Sequence, residues 1–146
     1  MGYSNAFNAY QKTNVSTASQ GRLVVLLYEG AIKQIKLALS FIELDGKIKP
    51  SQIEKFGNAI QKAQSIITEL QVSLDMEKGG DIARNLMSLY LYFNEELVTA
   101  GISHDRKKLE FVLNMMGQLV ESWRQISNST ANAPAAQIDN AVNIVG

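Results

Sequence analysis

NAYQKTNVSTASQGRLVVLLYEGA, residues 8–31, sets the reading of the whole chain. Its first part mixes polar residues with aromatics and shows no helical apolar period through Val15, Ser16, Thr17, Ala18 and Ser19. Its second part is dense in apolar side chains. The change predicts a helix start at Thr17 or Ser19, because a short hydroxyl side chain accepts a hydrogen bond from an unpaired N–H of the first turn. Gln20 stands three residues after Thr17, the spacing of a capping box. Beyond it Val24, Tyr28, Ala31, Ile35, Ala38 and Ile42 step by four and three, which makes a seam for packing against other helices. Leu23, Val25, Ile32, Leu37, Leu39 and Leu44 lie off that seam. A helix that is apolar nearly all round is either central to its bundle or lends a second face to a partner.

Three further helices follow. Asp45-Gly46-Lys47 is a turn signal, and Pro50-Ser51 opens the next element at a position where proline is tolerated. Ile53, Phe56, Ile60, Ala63, Ile67, Leu70 and Leu74 then alternate steps of three and four without a break. Burying each large member is worth roughly 1.5–3 kcal/mol, which outweighs the cost of about 1 kcal/mol for Gly57 within the run. Gly79-Gly80 allows positive φ at a helix end, and Asp81 is the expected cap of the third helix. That helix carries Leu86, Tyr90, Phe93, Leu97 and Ala100 on one seam, with Leu91, Tyr92 and Val98 partly off it. His104-Asp105 falls in the next connection, read as a solvated loop. The last helix carries Leu109, Val112, Met116, Leu119, Trp123 and Ile126, with Met115 off its seam and free to be exposed.

Four amphipathic helices with short connections predict an all-α fold, an antiparallel up-down four-helix bundle. No stretch alternates with period two for long enough to make a strand. The expected organisation is an N-terminal cap segment over residues 1–18, a bundle domain over 19–127 and a flexible tail over 128–146. The tail opens with small and polar residues of linker character. It ends with Ile138, Ala141, Val142 and Val145 at weak helical spacing, read either as a disordered end or as a short segment that docks on an apolar groove.

Composition narrows the function. At 146 residues the chain fits one domain with a sizeable core. Its 14 basic and 14 acidic residues balance, and no basic run interleaves with aromatics, so nucleic acid is not an expected partner. The absence of cysteine removes thiolate and disulfide chemistry and fits a reducing compartment. No apolar run approaches the ~20 residues of a membrane span, and the N-terminus lacks the pattern of a signal peptide, so no membrane insertion is expected.

Catalytic chemistry has little to work with. A metal site in a bundle needs inward carboxylates with Glu-x-x-His pairs, and this chain has a single histidine, His104. A nucleophile with a base would have to use the same residue. Gly79-Gly80 lacks the glycine-lysine pattern of a phosphate loop. No enzyme activity, cofactor or metal is expected.

The apolar surplus therefore points to binding. It also coincides with a family pattern. Asn8-Ala9-Tyr10, Val15, Thr17-Ala18-Ser19, Leu23 and Leu27-Tyr28-Glu29-Gly30-Ala31 resemble the N-terminal signature of the FliS family. The resemblance continues at Leu74-Asp75-Met76-Glu77-Lys78-Gly79-Gly80, through Leu86, Leu89, Tyr90 and Tyr92, and returns at Trp123-Arg124. It covers about residues 5–127. One departure is that Ser19 is followed by Gln20-Gly21 where the family usually has proline, which implies a looser helix start.

The resemblance implies a flagellar export chaperone in the cytoplasm. Its partner would be the disordered C-terminal segment of flagellin, wrapped around the bundle in extended and partly helical form and handed on to the flagellar export apparatus without ATP. It also implies that the N-terminal segment shifts to make room, so Tyr3, Phe7 and Tyr10 either simply complete the lid of the core or cover a groove until a client displaces them. Tyr10, Val15, Leu23, Leu27, Tyr28, Leu86, Tyr90 and Tyr92 are the candidate partner-binding residues. A core role stays open for Leu27, Tyr28, Leu86 and Tyr90. The uncovered groove also leaves room for a weak homodimer of the free protein. Two other readings are a helical regulatory adaptor for a folded partner and a phosphotransfer domain centred on His104.

Overall fold

The computed structural model describes residues 17–128 of the chain. Four helices account for most of them: α1 (Thr17–Ser40), α2 (Ile53–Ser73), α3 (Gly80–Ser103) and α4 (Arg106–Asn128), with a single 3-10 turn at Pro50–Gln52 ahead of α2. No strand occurs among the described residues. The expected N-terminal cap and C-terminal tail lie outside them, apart from the few residues at each boundary that α1 and α4 absorb.

Each connection reverses the chain. After α1, the Gly46 N–H bonds the Glu43 carbonyl at 2.8 Å and the Glu43 N–H bonds the Lys47 carbonyl at 2.8 Å. Gly46 has φ +83°, which a residue with a β-carbon rarely adopts, and an antiparallel bridge joins Ile42 to Ile48. Pro50 begins the 3-10 turn, as its fixed φ favours. The Arg106 guanidinium bonds the Ile42 carbonyl and so ties the start of α4 to this turn.

The second connection corrects one expectation. Asp81 does not cap α3. The helix begins at Gly80, whose φ of +53° turns the chain one residue earlier, with Gly79 as its N-cap. Asp81 therefore falls within the first turn, where it pairs with Arg84. The carboxylate that gathers loose N–H groups here is Asp75, whose Oδ1 accepts from Lys78 at 2.9 Å and from Glu77 at 3.1 Å.

The third connection holds His104, as expected, but half-buried rather than fully solvated. His104 closes α3 in the left-handed region at φ 59°, its N–H bonding the Ala100 carbonyl at 2.8 Å, which is the αL form of helix ending. Its ring packs edge-on to Phe56 of α2, with centroids 5.1 Å apart. Asp105 Oδ1 then accepts the Lys107 N–H at 2.9 Å at the head of α4.

Helix α1 packs against α2 and α4, and α3 packs against the same two, so the four form a closed square with α1 and α3 on one diagonal. Cross-contacts fix the directions. Asn94 of α3 reaches Thr68 of α2, and Gly101 lies against Ile60, so later residues of α3 meet earlier residues of α2. Glu96 pairs with Lys108 at 3.6 Å and Tyr92 meets Phe111, which sets α3 against α4 in the same way. The bundle is up-down-up-down, and α1 is antiparallel to α4.

The seams are the core. Tyr28, Ala31, Ile35, Ala38 and Ile42 of α1 are buried with Phe56, Ile60, Ala63, Ile67 and Leu70 of α2. Leu86, Tyr90, Phe93, Leu97 and Ala100 of α3 and Leu109, Val112, Met116 and Leu119 of α4 complete it. Some positions differ from the periodic reading. Leu23 is buried although it lies off the α1 seam, and Ile53 is exposed although it heads the α2 seam. Met115, off its seam and free to be exposed, is half-buried against the core.

Candidate partner-binding surface

Helical period decides which side chains face the core, and everything apolar left over must meet a neighbour, water or a partner. On α1, Leu26 and Leu37 are 56% and 44% exposed, and Leu44 in the following turn is fully exposed. Leu26, Lys33 and Leu37 fall at i, i+7 and i+11, so they share one stripe. On α3, Leu91, Val98 and Ile102 are exposed at the same i, i+7 and i+11 spacing. Asn94 and Gly101 show which way α3 meets α2, and this stripe runs along the outer edge of that seam.

A third apolar feature lies at the other edge of α3. Tyr92, 43% exposed, stands edge-to-face with Phe111 of α4, their ring centroids 5.7 Å apart at an interplanar angle of 89°. The geometry is the one that aromatic quadrupoles favour. Both rings keep a large part of their surface in water, so the pair is a preformed aromatic ledge across the α3–α4 seam. Exposed apolar groups thus occupy more than one face of the bundle.

The residues expected to bind a partner divide by depth. Tyr10 and Val15 lie outside the described residues. Leu23, Leu27, Tyr28, Leu86 and Tyr90 are buried, and Tyr92 alone is on the surface. For Leu27, Tyr28, Leu86 and Tyr90 the structure shows the core placement that the sequence had left open. The two tyrosines meet at the bundle axis. Their hydroxyl oxygens are 2.7 Å apart, and their rings lie 6.2 Å apart in an edge arrangement. Burial pushes the Tyr28 phenol well above its ordinary value, and the hydrogen bond with Tyr90 offsets part of that. Tyr90 is pushed up as well, first by burial, then by repulsion from Tyr28 and by the hydrogen bond they share.

Leu26, Ile102 and Phe111 were missed by the periodic reading. The only available signal was their place opposite the seam on their own helices. Among the described residues no group of three or more histidines or carboxylates lies together to hold a metal ion. No described helix is long and apolar enough to cross a membrane.

Comparison with known proteins places this surface in a family context. The family model described as "Flagellar protein FliS" matches residues 3–130. The chain is 35% identical over 114 residues to the flagellar secretion chaperone FliS of Salmonella typhimurium, covering 77% of this chain and 80% of that one. It is 32% identical over 129 residues to the flagellar secretion chaperone FliS of Bacillus subtilis, covering 88% and 91%. With the protein of the same name from Vibrio cholerae it shares 31% over 137 residues, covering 91% and 96%.

Proposed function

The chain belongs to the FliS family of flagellar secretion chaperones, which are not enzymes, and from that premise we propose that its client is the disordered C-terminal region of flagellin. The client is held in the cytoplasm before export, and premature polymerisation is blocked. Binding and release use no ATP, and the complex is delivered to the flagellar export apparatus. The observation that supports this reading is the distribution of exposed apolar side chains. Leu26 and Leu37 lie on α1, Leu91, Val98 and Ile102 on α3, and Tyr92 with Phe111 across α3 and α4. One flat patch would suit a folded partner. Separate stripes on several helices suit an unfolded chain that lays short apolar segments along successive seams.

Such a client loses conformational entropy on docking, so a large buried area yields moderate affinity. The buried candidates Leu27, Tyr28, Leu86 and Tyr90 serve as the floor beneath those seams, while the exposed residues make the contact. Tyr10 and Val15 belong to a lid segment in this reading. The test is titration calorimetry of the full chain with a flagellin C-terminal peptide, with and without ATP, followed by hydrogen exchange of the complex. The expected result is binding with a negative heat-capacity change, indifferent to ATP, and protection along more than one seam. Protection confined to one face would favour the adaptor, and the absence of any binding heat would reject flagellin as client.

A further inference from the structure

We infer that residues 138–145 of this chain dock in cis on the α1 stripe formed by Leu26, Lys33 and Leu37. The inference begins with where α4 ends. The Arg124 guanidinium meets the Glu29 carboxylate at 3.3 Å. Because α1 and α4 are antiparallel, Asn128, four residues past Arg124, lies level with Val25 and Leu26, four and three residues before Glu29. Leu26 and Lys33 are the i−3 and i+4 neighbours of Glu29, so the chain leaves α4 beside this stripe.

Length agrees. Residues 129–137 reach up to about 30 Å when extended. The stripe from Leu26 to Leu37 is about 16 Å long, and a helical Ile138–Val145 segment is about 10 Å long. Ile138, Ala141, Val142 and Val145 recur at i, i+3, i+4 and i+7, which gives the segment one apolar face to set on the two exposed leucines. So short a helix is not stable alone, so its ordering and docking are one event. A short tether holds it at an effective concentration on the order of millimolar, so a contact too weak to persist between molecules persists within one.

Charge selects the stripe. Asp139 is the only charged side chain in residues 129–146. The α1 stripe carries Lys33 between its leucines and Arg22 one turn before Leu26, and its carboxylate, Glu29, is already paired with Arg124 at 3.3 Å. The competing stripe on α3 places Glu95 between Leu91 and Val98, which repels Asp139, and α3 lies diagonally across the bundle from α1. The segment also lies beyond residue 130, where the family pattern stops, so the device belongs to this chain. The inference does not depend on which client the bundle takes.

The chain has no cysteine, so Asn143→Cys in the full chain takes a single nitroxide label. The expected result is line broadening of the α1 amides between Arg22 and Leu37 that is several-fold stronger than at Leu91–Ile102. Val142→Asp added to the labelled chain, or Leu26→Ser with Leu37→Ser, abolishes that difference, and Lys33→Glu reduces it. Circular dichroism of each variant confirms that the helices remain. Broadening that is absent, or strongest on α3, overturns the inference. A mixture of isotope-labelled chain without nitroxide and nitroxide-labelled chain without isotope tests the cis assignment. Broadening that survives in the mixture means docking on a second copy and overturns it too.

Discussion

The hydroxyls of Tyr28 and Tyr90 lie 2.7 Å apart at the centre of the bundle and join α1 to α3, the two helices of one diagonal. Removing one partner leaves the other buried and unsatisfied, which costs about 1–3 kcal/mol. Tyr28→Phe and Tyr90→Phe each break the one bond and so cost similar amounts. The double variant is less damaged than the sum of the singles, since two apolar groups of matched shape leave fewer orphans. Urea unfolding of the four proteins gives the cycle, and strict additivity would count against a shared bond.

The same pair makes stability fall in alkali. Both phenols are raised above their ordinary value in the folded state, chiefly by burial. The unfolded chain therefore loses these protons first, from about pH 10 upward, while the folded chain keeps them. Stability from this source is complete below about pH 10 and declines as pH rises, by about 1.4 kcal/mol per pH unit for each tyrosine. Denaturant midpoints between pH 9 and pH 11 check the slope, and Tyr28→Phe should remove roughly half of it.

The tyrosines also show what the sequence could and could not disclose. Their positions on the α1 and α3 seams put them in the core, and the four seams predicted the bundle because packing follows a period that can be counted. The family resemblance also put them among the candidates for a partner-binding groove, and their burial and diagonal contact place them in the core. Off-seam residues are harder. Leu23 is buried and Leu37 exposed, although both are leucines off the same seam, because burial there depends on which neighbouring helix covers the flank. Turn chemistry is ambiguous for a similar reason. Asp75 and Asp81 both flank the double glycine, and the one that bonds loose N–H groups is decided by where φ turns positive.

The double glycine carries a stability prediction of its own. A β-carbon on Gly79 would lie 2.6 Å from the Ala83 Cβ and 2.7 Å from the Asp75 carbonyl oxygen, so Gly79→Ala forces backbone apart at a cost of about 1–3 kcal/mol. Gly80→Ala costs about 1–2 kcal/mol through its left-handed φ of +53°. Gly117, exposed in α4 with open space around it, behaves oppositely, and Gly117→Ala gains about 0.5–1 kcal/mol. Urea midpoints at unchanged m-value measure all three.

Surface and core aromatics separate binding from folding. Tyr92 and Phe111 form their edge-to-face pair with both rings partly in water. Tyr92→Asp or Phe111→Asp therefore loses at most the pair energy of about 0.5–1.5 kcal/mol in stability, and the helical signal stays. If an unfolded client lays an apolar segment on this ledge, either change weakens its binding about tenfold or more, the effect of about 1.4 kcal/mol that a central aromatic contact commonly carries. Tyr28→Asp behaves differently. It buries an unpaired carboxylate where Tyr28 has no exposed surface, so it unfolds the bundle and abolishes binding for a reason unrelated to contact. Calorimetry with a flagellin C-terminal peptide, run beside circular dichroism on each variant, distinguishes the two. Wild-type affinity in both the Tyr92 and Phe111 variants would remove the ledge from the client's path and leave the α1 and α3 stripes to carry it.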